Sequence, residues 1–292
     1  MKPAPFSYVR PNTVDEACEA LASDSDSRVI AGGQTLVPML AMRLARPTLL
    51  VDVTRIGDLH GIRETDQGIE IGAVTRQFEA LASSLIARKV PLLAKALPHV
   101  GHPPTRARGT VGGSIAHGDP SAEIALAATI LGATICYRDA DEEVEFLPED
   151  FFLGPTLTSA PMGGCLTRVV FPKRSDGRVG AGFQEIASRR SDYAFASAGA
   201  QVELDDDGVC VGALLGVGSI GDVPTAIDIS SLCGSRLDDE DIQDAVAAAL
   251  SDIEAVDDLH ATASYRRRAA SRLAFLALVE ARDAALAEGV AA

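Results

Sequence analysis

Tryptophan is absent from the 292 residues, and aromatic residues together make up only 4%. Ala, Val, Leu and Ile must therefore fill the core that a 47% hydrophobic composition provides. The length suits two domains or one large one. Cations are scarce: 26 Lys and Arg stand against 41 Asp and Glu, a formal net charge of −15. Nucleic-acid binding needs clustered cations to displace counterions, so that class is excluded and the acidity reads as a solvated surface. No apolar run reaches the roughly 18 residues of a membrane span. No apolar signal-peptide segment follows the opening residues 1–6. The chain thus reads as cytoplasmic and not integral to a membrane. Five cysteines, at 18, 136, 165, 210 and 233, form no Cys-x-x-Cys pair. That excludes a disulfide framework and a local zinc or iron–sulfur site. Neither G-x-G-x-x-G nor G-x-S-x-G occurs, so neither a Rossmann site nor a nucleophile elbow is indicated.

What is present is a pair of glycine segments 80 residues apart. Ala31-Gly32-Gly33-Gln34-Thr35 follows a short strand expected at 28–30 and leads into a helix at 36–44, capped by Thr35. Thr110-Val111-Gly112-Gly113-Ser114 follows a loop rich in His, Pro and Arg at 99–109. Consecutive glycines let backbone N–H groups approach a pyrophosphate, and a following helix N-terminus adds a favourable field. Thr35, Thr110 and Ser114 each offer a hydroxyl. Two such segments can hold the two phosphates of one dinucleotide between them. A pair of ordinary turns remains the alternative on pattern alone.

The coarse pattern divides the chain in three. Residues 1–57 read as α/β, with Thr13 and Glu16 as a capping box and strands at 28–30 and 49–53. Residues 58–175 carry a half-buried strand at 68–73 and a helix capped by Thr75 and running through Leu81. Helices follow at 85–97 and, opened by Asp119-Pro120, to Leu131; strands are expected at 133–137 and 164–171. The polar stretch 173–178 marks a boundary. Residues 176–292 show strands at 182–187, 194–204 and 209–217, then helices, an α+β order. Ile242, Val246, Leu250 and Ile253 share one face of the first of these helices, and the last helix runs over about 264–287.

Several side chains carry two readings each. Glu123, in a first helical turn, suits the helix field alone or accepts a hydrogen bond from a ribityl or ribose hydroxyl. His102 and His117 read as structural, because no third ligand accompanies His117 and Asp119. Arg106 and Arg108 offset phosphate charge or form surface ion pairs. Arg266, Arg267 and Arg268 form a solvated helix start or a docking patch for a partner.

The segments 28–44 and 109–123, together with 188–194 and 265–268, resemble the FAD-binding medium subunit of the molybdenum hydroxylases. These include carbon monoxide dehydrogenase, quinoline oxidoreductase and the xanthine dehydrogenase family. The resemblance spans essentially the whole chain. It implies an α+β chain: two α/β subdomains of the vanillyl-alcohol-oxidase type, then a C-terminal α+β domain with a small antiparallel sheet and helices. It implies FAD on this chain, with Ala31, Gly32, Gly33, Gln34, Thr35 and Leu36 at the pyrophosphate. Thr110, Val111, Gly112, Gly113 and Ser114 would share that role. Glu123 would act on the FAD chain, Gly101 beside it, and Leu166, Gln184 and Tyr193 near the flavin ring. It further implies a small subunit with two [2Fe–2S] clusters and a large subunit carrying molybdopterin cytosine dinucleotide, assembled as a dimer of heterotrimers. Thr105, Ala107 and Gly164-Cys165 depart from the usual pattern. No catalytic acid or base and no metal ligand is expected on this chain, because the cofactor supplies the chemistry.

Two rival readings remain. A stand-alone flavin oxidase or reductase of the same superfamily often attaches FAD through a His after the Gly-Gly. Gln34 fills that position here, and an amide cannot be alkylated by the flavin in that way. A scaffold subunit without a cofactor would instead be colourless.

Overall fold

The computed structural model describes residues 2–139 and 142–288. Met1 and residues 289–292, at the ends of the first and last expected units, lie outside the described residues.

The chain opens on a small parallel sheet. Its elements are β1 (Ser7–Val9), α1 (Val14–Ala22), β2 (Ser27–Ile30), α2 (Leu36–Met42) and β3 (Leu49–Asp52), with strand order β1-β3-β2. Parallel neighbours need crossovers, which α1 and α2 supply. Thr13 caps α1 through its hydroxyl, accepting from Glu16 N–H at 3.1 Å. The Glu16 carboxylate accepts from Asn12 N–H rather than closing the expected box on Thr13. Thr35 precedes α2 but makes no side-chain cap, which leaves its hydroxyl available.

The middle region builds a five-stranded antiparallel sheet. β4 (Ile62–Glu64) and β5 (Ile69–Gly72) precede the helices α3 (Gln77–Ala82), α4 (Ser84–Lys89), α5 (Pro91–Ala96), α6 (Pro103–Arg108), α7 (Val111–His117) and α8 (Glu123–Leu131). Then come β6 (Thr134–Arg138), β7 (Glu143–Phe146), α9 (Pro148–Phe151), the hairpin β8 (Phe152–Gly154) and β9 (Leu157–Thr158), and β10 (Cys165–Phe171). The large sheet runs β4-β5-β10-β6-β7. Its core gathers Ile69, Ile71, Leu93, Ile115, Ile124 and Phe171, all fully buried.

Four local expectations change here. The helix expected over 85–97 breaks at Val90-Pro91, because proline lacks an N–H and pushes its predecessor out of helical geometry. Residues 103–108 form α6 rather than a loop, its two prolines occupying the first turn, where no intrahelical N–H is needed. Thr75 does not cap α3; its buried hydroxyl bonds Gly61 N–H and C=O, each at 3.0 Å. Asp119 turns the chain by accepting from the Ser121 N–H and hydroxyl, so α8 starts only at Glu123.

The last region is an antiparallel sheet backed by helices. β11 (Arg178–Ala187), β12 (Ala194–Leu204), β13 (Cys210–Gly218) and β14 (Thr225–Ile227) lie in that order. α10 (Asp239–Ala249) and the 26-residue α11 (Ala263–Glu288) follow. The even positions Ala196, Ala198, Ala200, Val202 and Leu204 share a core with Ala270, Ala274, Ala277 and Ala281 of α11. Alanines on both sides let helix and sheet approach closely. The opposite face of the sheet meets α5 and α8: a methyl at Gly199 would touch Ile130 and Leu92. Arg266 is only 4% exposed, so it belongs to neither a solvated face nor a docking patch. Among the described residues, no helix is long and apolar enough to cross a membrane.

Candidate cofactor site

Tertiary packing sets the first glycine segment against Arg108-Gly109, the residues that lead into the second. A Cβ on Gly32 would sit 2.5 Å from Arg108 O and 2.8 Å from Gly109 Cα, so only glycine fits there. Gly33 has φ of +69°, a conformation glycine adopts freely. Together the segments wall a cavity of about 590 Å³, within the size range of cofactor clefts.

The two segments offer it different groups. Among the described residues, the N–H groups of Gly33, Gln34, Thr35 and Leu36 donate to no protein acceptor. Such a run of open donors on one turn is an anion cradle. Gln34 folds its amide back onto Gly32 O at 3.1 Å, which steadies the turn. In the second segment the N–H groups are already used. Val111 and Gly112 donate to Thr75 O and Ala73 O, at 3.0 and 2.9 Å. Gly113 and Ser114 donate to the Thr110 hydroxyl and carbonyl, at 3.0 and 3.2 Å. The expected N–H pair at Gly112-Gly113 is thus not free: the first turn of α7 would leave both open, but the Ala73 carbonyl and the Thr110 cap take them. Gly112 is a packing glycine, its missing Cβ making room for Ala73. Gly113 is exposed, and it lines the cavity with Ser114, Ala116 and His117.

Ala31, Gly32, Gly33, Gln34, Thr35 and Leu36 all line the cavity, as do Gly101, Thr110, Glu123 and Tyr193. Val111, Gly112, Leu166 and Gln184 do not. Leu166 is buried in the core of the large sheet, and the Gln184 amide donates to Glu280 at 2.9 Å. Arg106 does not line the cavity and forms no ion pair among the described residues; it donates to Val100 O and Gly101 O, at 2.9 and 2.5 Å, fixing the Gly101 turn. Sequence reading passed over Gln77, Thr156 and Asp192. Gln77 is buried, lines the cavity and bonds Gly109 O through its N–H at 2.9 Å. A lone Gln carries no pattern that would single it out.

Glu123 stands at the start of α8 with its carboxyl half-buried in the cavity wall. Burial pushes the carboxyl up to about 7; Glu185 and Asp119 add to this, while its own backbone N–H and His99 oppose it. Folding thus holds this proton more tightly than the unfolded chain does. The stabilisation is complete below the ordinary value of 4.5 and is lost as pH rises through about 7. The cofactor-free Glu123→Gln chain is expected to be more stable than wild type at about pH 8, by about 1–2 kcal/mol after allowance for partial exposure. At about pH 4 the two should coincide. Thermal melts at both pH values check this, and an equal offset at both would refute it.

Comparison with known proteins agrees with this architecture. Residues 4–174 match the FAD binding domain in molybdopterin dehydrogenase, and residues 181–281 match the CO dehydrogenase flavoprotein C-terminal domain. The chain therefore belongs to the FAD-binding medium subunits of the molybdenum hydroxylases, a class of oxidoreductases. It is 36% identical to the 6-hydroxypseudooxynicotine dehydrogenase complex subunit alpha of Paenarthrobacter nicotinovorans, over 91% of this chain and 90% of that one. It is 33% identical to the nicotine 6-hydroxylase medium subunit of the same organism, over 96% and 99%. Among solved structures, quinoline 2-oxidoreductase from Pseudomonas putida 86 superposes with a TM-score of 0.93 at 32% identity, over 98% of this chain and 100% of that chain.

Proposed function

We propose that this chain holds FAD in the cavity between the two glycine segments and relays electrons within a heterotrimeric hydroxylase. The observation that carries this is the row of open N–H donors from Gly33 to Leu36, in the wall of a cavity that Gly113 and Ser114 line from the second segment. When bound, FAD collects two electrons and delivers them to an external acceptor.

The residues present fit that cofactor. The 33–36 turn would take the pyrophosphate, with the Thr35 and Ser114 hydroxyls beside it. Thr110 would hold the second segment in register through its bond to Gly113. Glu123 would accept from a hydroxyl of the FAD chain, and Gly101 would line its path. Tyr193, 70% exposed at the cavity mouth, would cover the ring. Val111, Gly112, Leu166 and Gln184 would act from behind by packing. The three units 1–57, 58–175 and 176–292 would supply, in order, the first segment, the second segment and the cover. The electrons would come from [2Fe–2S] clusters of a small subunit, and the organic substrate would react on a large molybdopterin cytosine dinucleotide subunit. We place the assembly, a dimer of heterotrimers, in the cytoplasm.

The absorption spectrum of the purified chain, before and after acid precipitation, tests the assignment. Flavin bands that follow the supernatant are expected, since Gln34 cannot form the histidyl link. Flavin held in the precipitate would overturn non-covalent binding. A colourless chain that FAD fails to reconstitute would overturn the cofactor assignment.

A further inference from the structure

His99 stands one residue behind the cavity wall. It follows α5 and precedes Val100 and Gly101, both of which line the cavity. Its Nδ1 lies 3.1 Å from Oε1 of Glu185 on β11. Phe183 lies two residues earlier on that strand, hence on the same face, and its ring centroid is 5.1 Å from that of His99. The last sheet therefore grips His99 by charge and by ring. β11 is itself anchored at this level. Glu280 of α11 accepts from Phe183 N–H and from the Gln184 amide, at 3.2 and 2.9 Å, and pairs with Lys95 of α5 at 2.6 Å. From another side Arg106 holds the carbonyls of Val100 and Gly101. Gly101, with φ of +49°, is the bend between these supports.

The grip depends on charge. The Glu185 side chain is only 9% exposed, and its Oε2 is buried without a hydrogen-bond partner. Among the described residues, His99 is the one cation paired with it. Three charged groups face His99: Glu185 from β11, Glu123 from the start of α8, and Arg190 from the turn after β11. The bond to Glu185 raises the imidazole above its ordinary 6.5 against the opposing effect of burial; the charges of Glu185 and Glu123 add to the rise, and Arg190 opposes it. The pair is therefore charged below that raised value and loses its charge as pH rises through it. Above it a neutral hydrogen bond at most remains, about half as strong as a charge-assisted one.

We propose that Glu185 and Phe183 are positioning residues for the cofactor: by holding His99 they fix the 99–101 turn against FAD, so that the last sheet governs how long FAD stays bound. This rests on FAD occupying the cavity. The latch is tight while His99 is charged and loosens when it is neutral.

Release of FAD on dilution, followed by its fluorescence, tests the latch. His99→Gln and Glu185→Gln each remove the charge pair and keep a side chain of similar reach. Each is expected to release FAD about fivefold faster than wild type at about pH 6. At about pH 9 wild-type His99 is itself neutral, and the ratio should fall to about one. A role confined to packing would give the same ratio at both pH values. Repeating the comparison with Glu123→Gln in every chain removes the neighbouring carboxyl that titrates at about 7, and the fivefold ratio should persist. A ratio near one at about pH 6, or an equal ratio at both, overturns the latch while FAD binding stands. Disappearance of the ratio in the Glu123→Gln chains would assign the effect to Glu123 and overturn it too. If Glu123→Gln itself holds no FAD, the comparison in the wild-type background decides. A wild-type chain that holds no FAD overturns the cofactor reading, and the latch with it. Thermal melts identify a variant that fails to fold; Glu185→Gln leaves no buried carboxylate without its cation, so it decides if His99→Gln is lost.

Discussion

Gly32→Ala is expected to raise the dissociation constant for FAD by about 100-fold, a loss of about 2.7 kcal/mol. The added methyl would lie 2.5 Å from Arg108 O and 2.8 Å from Gly109 Cα. Both obstacles are backbone atoms, so no side-chain rotation relieves the clash. The first glycine segment must then move away from Arg108-Gly109, which lead into the second. Separation moves the open donors of Gly33 to Leu36 relative to Ser114 and Glu123 across the cavity. The clash also costs some folding stability, so the binding loss is the part that remains when the variant is titrated well below its own melting temperature. Fluorescence titration of the cofactor-free chain with FAD measures it, with a thermal melt as control. Retention of wild-type affinity within about threefold would show that this contact does not shape the site.

Gly180→Val should produce the largest loss of stability. Gly180 faces α11, and a Cβ there would fall 1.9 Å from Ala281 O and 2.4 Å from Ala285 N. Gly182, two residues on, meets Ala277 O in the same way at 2.2 Å. The helix backbone rests directly on β11 along this line. A valine would force α11 off the sheet and open the alanine-lined core behind it. Overpacking against backbone in this way costs about 3 kcal/mol or more. A fall in melting temperature on the order of 10 °C is expected, read by circular dichroism. A melt within about 2 °C of wild type would show that the helix can retreat at little cost.

Much of the fold was legible because its signals are local. Thr13 capped α1 as read, and the apolar spacing of Ile242 and Val246 marked the buried face of α10. The strand expected over 194–204 is β12 with its bounds intact. Pro91 carried an equally local signal that the helix reading of 85–97 overlooked. The candidate site was legible to the extent that glycine is. Both Gly-Gly pairs stand at the cavity or directly behind it.

The remainder depended on partners far away in the chain. Thr75 has the composition of a helix cap, yet its hydroxyl is used by Gly61, which β4 and β5 bring alongside. Arg266 has the sequence context of a solvated helix start. It is buried because Phe195 O and Ser219 O converge on it from two other strands' ends.

The sequence by itself determined that this chain has two Gly-Gly segments, each leading into a helix, no Cys-x-x-Cys pair, and an order in which strands and helices alternate before a final run of strands is followed by helices. Its side-chain periodicities and glycine pairs are short-range properties, and they survive whatever the rest of the chain does. Only the tertiary structure decided that the segments play unequal parts. Val111 and Gly112 lost their open N–H groups because Thr75 and Ala73 offer carbonyls at that place, whereas Gly33 to Leu36 found no such acceptors. A backbone donor looks the same in any sequence; whether it is free depends on which distant carbonyl folding brings within reach.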